Sequence, residues 1–95
     1  MTRDEILKAV SNDTMYSRGV VEDVVGSLFE VIENCLLNGE KAVIQGFGTF
    51  KTVERKARIG RNIKEGTPVH IPAHVAPDFK PSEYLKNKVK NAYEK

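Results

Sequence analysis

Cysteine and tryptophan are nearly missing from this chain of 95 residues, which contains one cysteine, Cys35, and no tryptophan. A single cysteine cannot form a disulfide within the chain, and its use fits a reducing compartment. Long apolar runs are missing as well, since four acidic side chains interrupt the most apolar stretch, residues 20–37. A bilayer core would accommodate those charges only at high energetic cost. We therefore expect one small soluble domain in the cytoplasm.

Catalytic and metal-binding patterns are also missing. The serine, cysteine and carboxylate side chains show no recognisable catalytic spacing, so we predict that the protein is not an enzyme and uses no cofactor. His70 and His74 have only one cysteine elsewhere in the chain to join them, which is too few ligands for a zinc site. An auxiliary contact with a phosphate is the alternative role for His74, because it lies in the basic half of the chain.

The chain does have positive charge, concentrated in its second half. Residues 1–40 carry three basic and eight acidic side chains, whereas residues 51–65 carry six basic and two acidic ones. Residues 80–95 carry five basic and two acidic side chains, and the formal net charge of the whole chain is only +2. This separation favours a surface that meets nucleic acid over a uniformly solvated mixture of charges.

The first half of the chain has the pattern of two helices. A threonine cap with a glutamate three residues later predicts a helix over residues 3–12, broken by residues 12–14. Ser17 is a good cap for a second helix over residues 18–38. Gly39 then suits the left-handed position that follows a helix.

The second half has the pattern of a β-ribbon followed by a helix. The corner Gly46-Phe47-Gly48 lacks the lysine and helix start of a phosphate loop, so we expect it to be structural. Phe47 and Phe50 are expected in the core, and Phe79 is expected either in the core or at a dimer interface. The predicted segments are strands over residues 41–45, 49–58 and 69–73, a tip over about residues 59–68, and a connector over residues 77–81 that Pro77 and Pro81 punctuate. A closing helix over residues 83–93 follows, capped by Ser82, with Tyr84, Leu85 and Val89 facing inward.

Without the basic ribbon, the rest of the chain has too few residues to cover its own apolar faces. Charged residues fall on both faces of residues 51–61, and a two-stranded ribbon of this kind is only marginally stable alone. The remaining residues bury a core poorly by themselves. We therefore predict an obligate two-fold dimer that presents two ribbons. A homodimer is expected, and a heterodimer with a paralogue is the alternative.

Over nearly its whole length the chain resembles the bacterial HU/IHF histone-like DNA-bending proteins. The matching segments after the capped helical start are Gly39-Glu40-Lys41, Gly46-Phe47-Gly48-Thr49-Phe50, Glu54-Arg55, Ala57-Arg58, Gly60-Arg61-Asn62, Ile71-Pro72-Ala73 and Phe79-Lys80-Pro81. The resemblance implies an α+β fold: an intertwined dimer with a helical body and a three-stranded antiparallel sheet extended into a long β-ribbon arm in each subunit. The chain is then a single domain, residues 1–95, with a helical dimerisation part (1–45), a sheet and arm (46–81) and a C-terminal helix (82–95).

The resemblance also implies that the arms bind double-stranded DNA through the minor groove and bend it, while lysines of the body reach phosphates. Arginine suits a narrow, strongly negative groove, and lysine acts as a point charge on phosphate. Two alternatives need no DNA: basic strands protect sheet edges, and lysines near a helix C-terminus favour the helix dipole. The residues expected to contact DNA are Arg55, Lys56, Arg58, Arg61, Asn62, Ile63, Lys64, Lys80 and Lys86.

Ile63 departs from the family pattern, which has a proline after the Arg-Asn of the arm tip. Isoleucine is apolar and can serve as a wedge between base pairs, but it lacks the fixed φ of proline. The alternative is that Ile63 fills a turn and that the protein kinks DNA weakly.

These features predict an architectural, nucleoid-associated protein that binds duplex DNA with little sequence preference, bends it and compacts it. One alternative is a sequence-selective factor of the IHF kind, which selects sites by their deformability. A second alternative is a dimeric adaptor whose arm grips an acidic protein or RNA. Neither a membrane partner nor a small-molecule substrate is expected.

Overall fold

The computed structural model describes residues 1–61 and 66–94, and these form helices and antiparallel strands. The predicted α+β class is confirmed. Contacts divide the chain into two compact units, Met1–Cys35 and Leu36–Lys95. The elements are α1 (Arg3–Thr14), α2 (Arg18–Leu37), β1 (Ala42–Ile44), β2 (Gly48–Arg55), β3 (Arg58–Arg61), β4 (Pro68–Ile71), β5 (His74–Pro81) and α3 (Glu83–Tyr93).

Helices α1 and α2 both begin after the residues predicted to cap them. The Glu5 backbone N–H donates to Thr2 Oγ1 over 3.2 Å, and the Val20 N–H donates to Ser17 Oγ over 3.3 Å. Each hydroxyl thereby satisfies a backbone donor that has no partner within the first helical turn. After the end of α2, Gly39 has a φ of 73°, the left-handed conformation expected there.

Helix α1 ends later than the sequence predicts. The predicted break at residues 12–14 was wrong, because α1 continues to Thr14. The Thr14 hydroxyl donates to the Val10 carbonyl over 2.8 Å, so it bonds back into the helix instead of interrupting it. Met15, with a φ of 67°, then closes the helix by donating its N–H to the carbonyl of residue 11 over 2.9 Å.

The unit Met1–Cys35 contains an ion pair between its two helices and two buried apolar side chains. Asp4 of α1 accepts a hydrogen bond from the Arg18 guanidinium at the start of α2. Leu7 and Val21 are buried, with 4% and 3% of their surface exposed. Each helix therefore contributes one buried side chain to this unit.

In the unit Leu36–Lys95, β1, β2 and β5 form a three-stranded sheet in the order β1-β2-β5. The corner between β1 and β2 requires the φ of 79° found at Gly46. The Phe47 N–H donates to the Ile44 carbonyl over 3.0 Å, and the Phe47 carbonyl accepts from the Ser82 N–H over 2.9 Å. The predicted structural corner is confirmed, and it also holds the residue that caps α3.

Strand β5 replaces the predicted connector over residues 77–81. The predicted connector is wrong because neither proline interrupts the strand. Pro77 pairs with Thr52 and Pro81 pairs with Gly48 in the β2–β5 ladder. Since β5 lies at the edge of the sheet, proline is tolerated at positions where a backbone N–H would point away from β2.

The predicted strand over residues 49–58 is interrupted. It forms β2 and β3 with residues 56 and 57 between them, and the returning chain is interrupted at residues 72 and 73. Arg55 pairs with His74 and Arg58 pairs with Ile71, so pairing resumes in the same register with two unpaired residues on each side. Proline at position 72 has no N–H for the ladder, which accounts for the interruption. Strands β3 and β4 form the two-stranded ribbon beyond it.

Helix α3 follows its predicted bounds, with Ser82 Oγ accepting from the Leu85 N–H over 3.1 Å. Tyr84 and Val89 were expected to face inward, but they expose 62% and 50% of their surface in the single chain. Among the helices of the described residues, none is long and apolar enough to cross a membrane.

Candidate nucleic-acid interface

The three-stranded sheet has one apolar face, which carries the three phenylalanines. Phe50 lies opposite Phe79 with ring centroids 4.8 Å apart, and the Phe47 ring lies 5.5 Å from Phe79. Phe47 and Phe79 nevertheless expose 46% and 37% of their surface. The three rings lie close together, but Phe47 is exposed in the single chain, so the prediction that it lies in a core is wrong there. A chain of this size supplies too few apolar side chains to cover them.

The other face of the sheet is basic. Side chains alternate along a strand, so Lys51 and Arg55 of β2 share a face with their register partners on β5. Lys51 lies opposite Asp78, and Arg55 lies opposite His74. Ala76 and Lys80 lie on the same face of β5, two and six residues after His74. Along the paired residues of β2 and β5, this face therefore presents three cationic side chains and one carboxylate.

The interruption of the ribbon shapes a basic cleft. His74 donates from Nδ1 to the Pro72 carbonyl over 2.9 Å, since a carbonyl oxygen only accepts, and this bond orients the ring. Within residues 1–61 and 66–94, no group of three or more His, Cys, Asp and Glu is placed to hold a metal ion. Clustered positive charge in a concave surface attracts phosphate groups. The cleft has a volume of about 480 Å³ and is lined by Arg55, Lys56, Ala57, Arg58 and His74.

The predicted contact residues near the tip are described only in part. Arg61 is the last residue of β3, is exposed, and pairs with Pro68 of β4. Asn62, Ile63 and Lys64 lie outside the described residues. Basic side chains therefore lie in the cleft at the start of β3 and at its last residue, Arg61, where a ligand can reach them.

The two predicted body lysines lie on different elements. Lys80 is exposed on β5 opposite Thr49, where it shares the basic face of the sheet. Lys86 is exposed on α3, and its Nζ donates to Glu83 Oε1 over 3.4 Å. The Glu83 side chain is 82% exposed, so water screens this pair strongly and Lys86 is not held tightly by it.

Two residues of the basic face were missed by the sequence analysis. Lys51 was counted in the arm charge but left out of the predicted site, and Asp78 was treated as part of a connector. The alternation of β2 could have identified Lys51, because it immediately follows Phe50 and so points to the opposite face. Asp78 could not be assigned without the register of β5.

The fold and the basic ribbon together define a protein with a polyanion-binding surface. Residues 1–90 match the family described as bacterial DNA-binding protein, and the chain belongs to this family. The family is one of DNA-binding proteins rather than of enzymes. The HU/IHF resemblance inferred from the sequence is therefore confirmed.

Individual relatives cover almost the full length of the chain. It is 38% identical over 93 residues to integration host factor subunit beta from Halorhodospira halophila, covering 97% of this chain and 91% of the relative. It is 39% identical over 89 residues to DNA-binding protein HU 1 from Bacillus subtilis, covering 94% and 97%. Its fold matches that of Anabaena HU in a cocrystal structure with DNA, with a TM-score of 0.81 and 32% identity, covering 94% and 97% of the two chains.

Proposed function

We propose that this protein is an architectural DNA-binding protein of the bacterial nucleoid. It binds duplex DNA through phosphates and the minor groove with little sequence preference, bends it and compacts it. Its place in the cell is the cytoplasm, where the nucleoid lies. The similarity to HU 1 of Bacillus subtilis and to the Anabaena HU–DNA complex supports this function.

The observation that carries the proposal is the exposed basic ribbon. Its cationic side chains line an open cleft and continue along the strand edge to Arg61. A ribbon with charged residues on both faces buries little apolar surface and gains little stability of its own, so a polyanion is the partner that its composition favours. Arginines presented on an extended ribbon fit the narrow minor groove, where the negative potential is strongest.

We assign DNA contact to the ribbon and to two positions of the body. The arginines bind the minor groove and the phosphates that border it, and the lysines bind phosphates as point charges. Ile63 is either an apolar wedge or a turn residue. Replacing it with alanine or proline and measuring the DNA bend by energy transfer distinguishes the two roles. If neither variant changes the bend from that of the unsubstituted protein, Ile63 is not a wedge. The proposed contact residues are Arg55, Lys56, Arg58, Arg61, Asn62, Ile63, Lys64, Lys80 and Lys86.

The binding unit that we propose is a homodimer. Val24, Leu28 and Val31 lie at helical spacing on α2 and expose 63%, 49% and 57% of their surface. An apolar stripe of this kind marks an interaction surface, and a second copy of the chain would also cover exposed aromatic rings. The protein purified alone should sediment as a dimer, and its melting temperature should rise with concentration. A folded monomer at micromolar concentration would contradict the proposal.

A sequence-selective function is the second candidate, favoured by the 38% identity to an integration host factor subunit. Such a protein discriminates sites by the energy needed to deform them. Selection from a random DNA pool separates the two functions. Strong enrichment of one sequence would favour the selective factor, and broad recovery would favour the architectural protein.

Binding to intact and nicked duplexes across a salt series tests the proposed function. Fluorescence anisotropy should show affinity that falls steeply with salt, because each neutralised phosphate contributes about 0.9 to the slope. Nicked DNA should bind more tightly, since a nick lowers the cost of bending. Equal affinity for both probes would keep DNA binding but argue against bending, and absence of binding at low salt would exclude DNA as the partner.

A further inference from the structure

Asp78 interrupts the basic face of the sheet. In the register of β2 and β5 it lies directly opposite Lys51. Its Oδ1 also lies 3.7 Å from Nη2 of Arg55, one of the proposed DNA contacts. Along these two strands it is the one carboxylate on this face, since Glu54 pairs with Val75 on the other face.

The Arg55–Asp78 pair is accessible to competing ions. The Arg55 side chain is 53% exposed and the Asp78 side chain 38% exposed. Water and salt screen such a pair, so its stabilising contribution to the fold is small. A DNA phosphate offers Arg55 a second anionic partner with closely similar geometry, because guanidinium groups bind carboxylate and phosphate in the same way.

We propose that Asp78 sets the DNA affinity of this protein by holding Arg55 in an intramolecular ion pair that a phosphate must displace. This inference rests on the proposed DNA-binding function. Asp78 acts through Arg55, not by contact with DNA. It lowers the affinity of the basic face and makes Arg55 available mainly to ligands that bring a phosphate to the junction between sheet and ribbon.

The test removes the charge of two carboxylates in turn, one on each face of the sheet. Asp78→Asn keeps the shape of the side chain and removes its charge. Glu54→Gln changes the net charge by the same amount on the opposite face of β2. Asp78→Ser is a second, smaller neutral variant in case the amide perturbs the strand. Circular dichroism establishes that each variant is folded before its DNA affinity is measured.

The variants are titrated against one intact duplex across a salt series, with and without Arg55→Ala. D78N should bind about two- to fivefold more tightly than E54Q near physiological salt, the range expected for releasing an exposed ion pair. Its salt slope should stay close to that of E54Q, because Arg55 contacts a phosphate in both complexes once Asp78 is displaced or removed. In the R55A background the advantage of D78N over E54Q should disappear.

Each remaining outcome overturns the inference. If D78N and E54Q bind equally well, Asp78 contributes only net charge. If the advantage of D78N persists in the R55A background, Asp78 does not act through Arg55. If the unsubstituted protein binds no duplex at low salt, the proposed function fails, and the inference fails with it.

Discussion

Replacement of Gly48 by alanine tests the packing of the aromatic corner most directly. A Cβ at this position would lie 2.6 Å from both Cε1 and Cζ of Phe79 and 2.7 Å from the Lys80 carbonyl oxygen. All three distances are far below ordinary van der Waals contact. Gly48 is also buried, so the added methyl group has no route into solvent. The absence of a side chain at this position is therefore required by the sheet.

The expected destabilisation follows from what must move. The Phe79 ring packs against Phe47 and Phe50, and the Lys80 carbonyl belongs to the strand that pairs with Gly48. Overpacking costs about 1–3 kcal/mol, and each weakened aromatic pair adds about 0.5–1.5 kcal/mol. We expect G48A to lower the free energy of unfolding by about 2–4 kcal/mol, which lowers the melting temperature by roughly 10 °C or more.

Denaturation followed by circular dichroism measures this effect. The protein concentration is held fixed, because the stability of the proposed homodimer would depend on it. Gly19→Ala is the matched control: Gly19 lies in α2, and its Cβ would meet nothing within 4 Å. Alanine is a better helix former than glycine by up to about 1 kcal/mol, so G19A should be neutral or stabilising. If G48A is as stable as G19A, the close approach of Phe79 to the backbone is refuted.

Two further substitutions address the helix cap and the ribbon. Ser82→Ala removes the acceptor for the Leu85 N–H and should reduce stability by about 1 kcal/mol. Ser27→Ala on the exposed side of α2 should change stability little. Equal melting temperatures for these two variants would contradict the capping role of Ser82. Arg58→Ala should weaken binding to duplex DNA and lower the salt slope by about 0.9, because one phosphate contact is lost. Lys8→Ala removes the same charge from α1. If K8A loses as much DNA affinity as R58A, Arg58 contributes only through the net charge of the protein.

The helices could be predicted because their determinants are local. A hydroxyl at the cap and an apolar repeat over the next turns located α1, α2 and α3, and Gly39 was correctly placed in a left-handed conformation. The error at the end of α1 arose because Thr14 has two local options. Its hydroxyl can cap a new turn or bond back to the Val10 carbonyl, and the sequence does not decide between them.

The strands were harder because proline has a different meaning at an edge and in the centre of a sheet. Pro77 and Pro81 were interpreted as breaks, whereas β5 accommodates both because it lies at the edge. At Pro72 the same residue type does interrupt pairing. The order of strands, which follows from long-range contacts, decides between these outcomes.

The candidate site was predictable in composition but not in arrangement. The excess of basic residues over residues 51–65 pointed to the ribbon, and the structure brings Arg55, Lys56 and Arg58 to one cleft. The pairing of Arg55 with Asp78 depends on the register of β2 against β5, because the two residues are far apart in the chain. Sequence alone could not show that a carboxylate lies within the basic face.

Energy transfer across a short duplex labelled at both ends tests the central claim most directly. Binding is brought to saturation at low salt, and transfer efficiency is compared between free and bound DNA. The account predicts that transfer rises as protein is added and reaches a plateau at one dimer per duplex, because the two ribbons of the proposed dimer would draw the ends of the DNA together. Saturated binding, seen by anisotropy, with transfer unchanged from free DNA would contradict it.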